Sequence, residues 1–126
     1  MAGMMTVFII SRLSNKIITS FERDGDYTVE RIQALKLMGK VLSISPALFP
    51  ISFARSLVAV ANSKEDSFRK VCIETIRELS LANPKLVATV NGYSCMLEVV
   101  IDPITQELSD SILLTILYLL NDPNIR

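Results

Sequence analysis

Two pairs of basic residues stand at i,i+4 spacing in this sequence, Arg12 with Lys16 and Lys36 with Lys40, and Arg55 adds a further cation. Residues four apart share one face of a helix, so each pair concentrates positive charge in one place. A strip of that kind can meet an acidic protein segment or anionic headgroups at a membrane surface. It can equally be a solvated face that aids solubility. The 126 residues carry 13 Lys and Arg against 13 Asp and Glu, a net charge of zero. The balance is uneven along the chain: residues 1–63 hold seven basic and four acidic side chains, and residues 64–126 hold six and nine.

The remaining reactive side chains point away from catalysis. There is no His, which removes the commonest general base and a common metal ligand. Catalytic triads, HExxH zinc sites and His-assisted cysteine chemistry go with it. Cys72 and Cys95 have no third or fourth soft ligand, so zinc is not expected. Two cysteines make no disulfide framework, which suits a reducing compartment. Cys72 falls on an apolar stripe with Phe68 and Ile76 and reads as a buried thiol acting as a small hydrophobe, as does Cys95. Asp24 and Asp26 flank Gly25 like the start of a calcium loop. The twelfth position of such a loop would be Leu35, however, where an acid is required. A solvated acidic turn fits better. Gly3, Gly25, Gly39 and Gly92 are scattered, and none precedes a Lys-Ser or Lys-Thr pair that would cradle phosphate. Neutral total charge offers no broad footprint for nucleic acid. The expectation is a non-enzyme without cofactor, metal or small-molecule substrate, working through protein partners.

The elements that carry these residues read as helices. In Val29–Ile44 the apolar Ile32, Leu35, Met38 and Leu42 fall at helical spacing, with Gln33, Lys36, Lys40 and Ser43 opposite and Thr28 as N-cap. A second long helix is predicted over Lys64–Ala82, with Phe68, Val71, Cys72, Ile76 and Leu79 on one face. Its start, Ser63-Lys64-Glu65-Asp66, is close to a capping box, and Glu65–Arg69 and Asp66–Lys70 stand at favourable i,i+4 spacing. Asn83-Pro84 ends it, because the residue before proline avoids the α region. A third long helix covers Glu107–Asn121. Shorter helices are predicted near Thr6–Ser20, at Ile51–Asn62, and near Tyr93–Asp102 after an Asn91-Gly92 turn. Period-two alternation bounded by hairpin turns is missing, so the chain reads as all-α.

The sequence also repeats. Ser45-Pro46-Ala47-Leu48, Asn83-Pro84-Lys85-Leu86 and Asp122-Pro123-Asn124-Ile125 share the pattern small polar, Pro, any residue, aliphatic. The prolines are 38 and 39 residues apart, and each follows a long helix. A period near 40 built from two or three helices marks armadillo or HEAT repeats. The predicted architecture is therefore a right-handed armadillo/HEAT-like solenoid of about three repeats, 1–45, 46–83 and 84–122, within one region, 1–126. In such a solenoid the long helices stack and line a concave surface where an extended partner sits. Seven of the nine residues Ile112–Leu120 are aliphatic, and Val7, Phe8, Ile9 and Ile10 run together near the start. Solenoid ends are normally polar caps, so the expectation is a slice of a longer array or a chain completed by a partner. The longest apolar run is far short of the roughly 20 residues a bilayer span needs, and the first residues lack the features of a secretory signal. A soluble cytoplasmic protein is expected, with peripheral membrane contact as part of a complex.

Several separated blocks then become recognisable in order: Tyr27-Thr28-Val29-Glu30-Arg31-Ile32-Gln33-Ala34-Leu35-Lys36-Leu37; Pro50-Ile51-Ser52-Phe53-Ala54-Arg55-Ser56-Leu57-Val58-Ala59-Val60-Ala61; Val71-Cys72-Ile73-Glu74-Thr75-Ile76-Arg77-Glu78-Leu79; and Ile112 through Pro123. Together they resemble the N-terminal armadillo-like region of the Rictor/Pianissimo family, companions of the TOR kinase. The resemblance covers roughly Phe8–Arg126, and the family's proteins are many times longer. It implies a non-catalytic scaffold subunit of TOR complex 2, with TOR kinase and the other subunits as partners and actin organisation and growth signalling downstream. A generic armadillo or HEAT peptide-binding adaptor in another pathway is the alternative. A small helical enzyme or ligand carrier is a third reading, which the lack of His disfavours.

Overall fold

The computed structural model describes residues 8–10, 12–22 and 28–121, and all regular structure among them is helical. The chain divides into two compact units, Met1–Ser56 and Leu57–Arg126.

The first unit contains α1 (Ser14–Phe21), α2 (Thr28–Ile44), a 3-10 turn at Pro46–Leu48, and the first half of α3 (Ile51–Ala61). Residues 8–10 are also helical, whereas Thr6, Val7 and Ser11 of the predicted first helix lie outside the described residues. Helix α1 packs along α2, and Ile17 and Phe21 from one and Ala34, Met38 and Val41 from the other are buried. Thr28 is the first helical residue of α2 rather than its cap. Pro46 cannot continue α2 and instead opens the 3-10 turn. Beyond it, Phe49 and Phe53 meet edge to face with centroids 5.7 Å apart.

The buried face of α2 differs from the one its apolar spacing predicts. Met38 and Leu42 are buried as expected, but the stripe runs through Arg31, Ala34 and Val41, while Ile32 and Leu37 stay exposed. The helix has apolar residues on both sides, so spacing alone does not fix its rotation. Arg31 settles it by finding an acceptor inside: its Nε donates to the Phe21 carbonyl at 2.7 Å.

The second unit holds the remainder of α3 together with α4 (Arg69–Ala82), α5 (Pro84–Thr89), α6 (Gly92–Ile101) and α7 (Gln106–Leu120). Helix α4 packs on α5, α6 and α7. Cys72, Ile73, Ile76 and Leu79 are its buried apolar side chains, joined by Val87, Met96, Val99 and Ile112. Burying such aliphatic groups contributes about 25 cal/mol per Å² and is the main stabilising term.

Helix α4 starts at Arg69, five residues later than the sequence pattern suggests. The Asp66 carboxylate accepts from the Phe68 amide at 2.8 Å, a local side-chain turn that competes with helix. Glu65 and Asp66 therefore precede the helix rather than standing on it with Arg69 and Lys70. Arg69 Nε instead donates to the Ala61 carbonyl at 3.0 Å. Asn83 ends α4 and caps α5, its side chain accepting from the Leu86 amide with Pro84 in the first turn. Asn91 takes the left-handed conformation at φ 59°, which Asn tolerates better than most residues. Gly92 follows where a Cβ would stand 2.8 Å from Val87 Cγ1. Thr105 Oγ1 accepts from the Leu108 amide at 3.1 Å and caps α7.

Candidate partner-binding surface

All five cations singled out by the sequence are exposed and belong to the first unit. Arg12 lies 5.4 Å from the centroid of the Phe8 ring, a distance at which a guanidinium gains from the ring's negative face. Lys16 is on α1, Lys36 and Lys40 are on the outer face of α2, and Arg55 is on α3. The structure brings Lys16 to the rim of a groove of about 310 Å³ between α1 and α2, lined by Leu13, Ile17, Val29, Ala34 and Leu37 with Glu30 and Gln33. Lys36 and Lys40 continue the exposed face that carries Val29 and Gln33, whereas Arg55 lies outside this groove. The groove itself was not legible in the sequence. Its one signal is that Val29 and Leu37 are apolar residues of α2 outside its buried stripe, and Val29 is 71% exposed.

The second unit offers two further concavities. A cleft of about 180 Å³ between α4 and α7 mixes Lys70 and Arg77 with Glu74, Glu78 and Glu107, so neither sign dominates it strongly. An apolar hollow of about 310 Å³ between α6 and α7 is lined by Tyr93, Leu97, Ile116, Leu119 and Leu120. The Tyr93 hydroxyl donates to the Pro84 carbonyl at 3.3 Å, and burial raises its pKa. On the outside of α7, Leu113, Leu114, Leu117, Tyr118 and Leu120 are exposed. The uniform apolarity of that helix is thus covered on one side only among the described residues.

Both cysteines are buried and neither is in a disulfide, as their place on apolar faces suggested. Cys95 Sγ donates to Asn62 Oδ1 at 3.1 Å. Its pKa is raised, first by burial and then by the nearby Glu98 carboxylate, the opposite of what a reactive thiol requires. Among the described residues no group of three or more His, Cys, Asp or Glu could hold a metal ion. Asp24 and Asp26 lie outside the described residues. Among the described residues no helix is long and apolar enough to cross a membrane. What the arrangement offers chemically is surface: a basic, grooved first unit and an apolar outer face on the second.

Comparison with known proteins gives these surfaces a family. The model for the N-terminal region of the rapamycin-insensitive companion of mTOR matches residues 3–126. Protein pianissimo A of Dictyostelium discoideum is 39% identical over 110 residues, covering 87% of this chain and 10% of that protein. The human rapamycin-insensitive companion of mTOR is 41% identical over 101 residues, covering 78% and 6%. The target of rapamycin complex 2 subunit TSC11 of Saccharomyces cerevisiae is 28% identical over 109 residues, covering 86% and 8%. The chain spans about a tenth or less of the length of these relatives. It belongs to the Rictor/Pianissimo family, matching that family's N-terminal region.

Proposed function

We propose that this chain forms part of a non-catalytic scaffold subunit of TOR complex 2, with TOR kinase and substrate-recruiting subunits as its partners. The observation that carries the reading is the family match over residues 3–126, together with relatives whose names make them subunits of that complex. A scaffold contributes proximity and orientation to a reaction performed by others. The helical units suit that work, because the first exposes basic side chains and the second an apolar outer face. The proline period of 38 and 39 residues, with α2 and α4 ending just before Pro46 and Pro84, supports an armadillo/HEAT type of about three repeats. The third repeat of the pattern, at Asp122-Pro123, lies outside the described residues. Arg12, Lys16, Lys36, Lys40 and Arg55 form the partner-facing side of the first unit. The complex works in the cytoplasm with peripheral contact at membranes.

Affinity purification of the native protein, with intact mass measurement, tests this reading. Recovery of TOR kinase is the expected result, and the double charge reversal Lys36→Glu/Lys40→Glu is expected to lower partner retention while helical content stays unchanged. Recovery of partners that include no TOR complex subunit would overturn the reading in favour of an adaptor in another pathway.

A further inference from the structure

We infer that the groove between α1 and α2 is a docking site for one acidic amphipathic helix of a partner protein. Size comes first. About 310 Å³ is at the lower end of the roughly 300–1,000 Å³ of ligand pockets, room for a few side chains. The α2 wall runs from Val29 to Leu37, about 12 Å of helix axis at 1.5 Å per residue. Two turns of a docked helix span about 11 Å, so aliphatic residues at i, i+3 or i+4, and i+7 would reach the floor together, the usual way a helix reads a groove.

Charge then selects the partner. Among the described residues of the first unit, the exposed charged groups are the cations Arg12, Lys16, Lys36, Lys40 and Arg55 and the carboxylates Glu22 and Glu30. Glu22 Oε1 already accepts from the Ser56 hydroxyl at 2.8 Å. Lys16 stands on the α1 rim. Lys40, at i+3 from Leu37 and i+7 from Gln33, continues the α2 rim. A docked helix with carboxylates flanking its apolar stripe meets cations on both sides, and a basic one is repelled. The same geometry disfavours a lipid surface. Membrane-binding helices insert protruding apolar side chains about 5–10 Å into the headgroup boundary, whereas the floor of this groove, Ile17 and Ala34, is buried between the more exposed Leu13, Val29 and Leu37. Glu30 is the one carboxylate on the lining, against Lys16 there and Lys40 beyond it.

The inference rests on the scaffold reading only in assuming that other proteins bind this chain. In the native complex, a photoreactive benzoylphenylalanine replaces Leu37, and a control replaces exposed Glu65. Irradiation, digestion and mass spectrometry then identify the captured segment. We expect a segment of another subunit, net negative, with aliphatic residues at i, i+3 or i+4, and i+7. Capture should fall about fivefold in Lys16→Glu/Lys40→Glu, two exposed charge pairs being lost, and persist in Lys16→Arg/Lys40→Arg. Circular dichroism of each variant checks that the helices are intact. Capture of lipid, of a second copy, of a segment of the same polypeptide or of a non-acidic segment overturns the inference, as does capture no greater than at Glu65. TOR subunits retained in a sample without groove capture leave the scaffold reading standing and remove only the groove. Absence of TOR subunits from the native preparation breaks the scaffold reading instead.

Discussion

The two units of this chain solve the same packing problem with different chemistry. The first buries a charge. Arg31 is 7% exposed, its Nε donates to the Phe21 carbonyl at 2.7 Å, and its guanidinium carbon lies 5.7 Å from the centroid of the Phe21 ring. Phe21 is the last residue of α1, so its carbonyl is one of the acceptors that a helix end leaves without a partner in its own helix. A cation there also complements the negative end of the helix dipole. Among its described residues the second unit buries no charged side chain, and its buried hydroxyls are those of Ser80, Ser109 and Thr115. Ser80 donates to the Arg77 carbonyl and Thr115 to the Ser111 carbonyl, each within its own helix. The first core thus holds a buried guanidinium between two helices, whereas the second relies on aliphatic packing with smaller polar contacts, among them Cys95 Sγ to Asn62 Oδ1.

That contrast orders the expected costs of substitution. Ile73→Ala empties a fully buried position on α4 and should destabilise the protein by about 2–5 kcal/mol in urea titration. A cost near zero would mean that the second unit is not close-packed. Arg31→Met keeps the apolar stem but leaves the Phe21 carbonyl without this donor. Its expected cost is about 1.5–3 kcal/mol, and Arg31→Lys should recover only part, since an ammonium lacks the planar fork. If Arg31→Met were as stable as the parent chain, the polar contact would not hold the first unit together. Gly92→Ala comes next. The new methyl would stand 2.8 Å from Val87 Cγ1 and 3.3 Å from Ile76 Cγ2, and overpacking of this kind costs about 1–3 kcal/mol. Pairing it with Val87→Ala should relieve most of that cost, which a double-mutant cycle reads directly.

How much of this was legible in the sequence follows the range of the forces involved. Helix ends set by local chemistry came through. Pro46 and Pro84 stop α2 and α4 wherever the rest of the chain goes, and the Asn91-Gly92 turn needs only the left-handed tolerance of Asn91. The six residues of α5 were too few for periodicity to register. The start of α4 went to a competing local bond at Asp66, which outweighs the capping pattern begun by Ser63. The rotation of α2 was not legible because Arg31 is held by a carbonyl ten residues earlier, and a charged residue normally argues for the outside of a helix. The site divides in the same way. Exposure of Arg12, Lys16, Lys36 and Lys40 followed from i,i+4 spacing and helix faces, but the groove beside Lys16 needs α1 and α2 placed side by side.

The smallest expected effect separates the two units most cleanly, because both cysteines belong to the second. Glu98 pairs with Lys64 at 3.3 Å, with side chains 41% and 66% exposed respectively. An exposed pair contributes little, so Glu98→Gln should change stability by no more than about 1 kcal/mol. The same carboxylate raises the Cys95 pKa alongside burial, and removing its charge should move the pH profile of Cys95 alkylation to lower pH. Burial remains, so the thiol should stay above its ordinary value. The folded pKa exceeds the unfolded one of about 8.5, so the folded state retains the proton where the unfolded state has lost it. Stability is therefore expected to fall as pH rises through this range. Cys95→Ala should flatten that alkaline limb while leaving the first unit, which contributes no thiol, unchanged. An alkylation profile that Glu98→Gln does not move would show that burial alone holds the Cys95 proton, and the second unit would then owe its behaviour to shape more completely than the first.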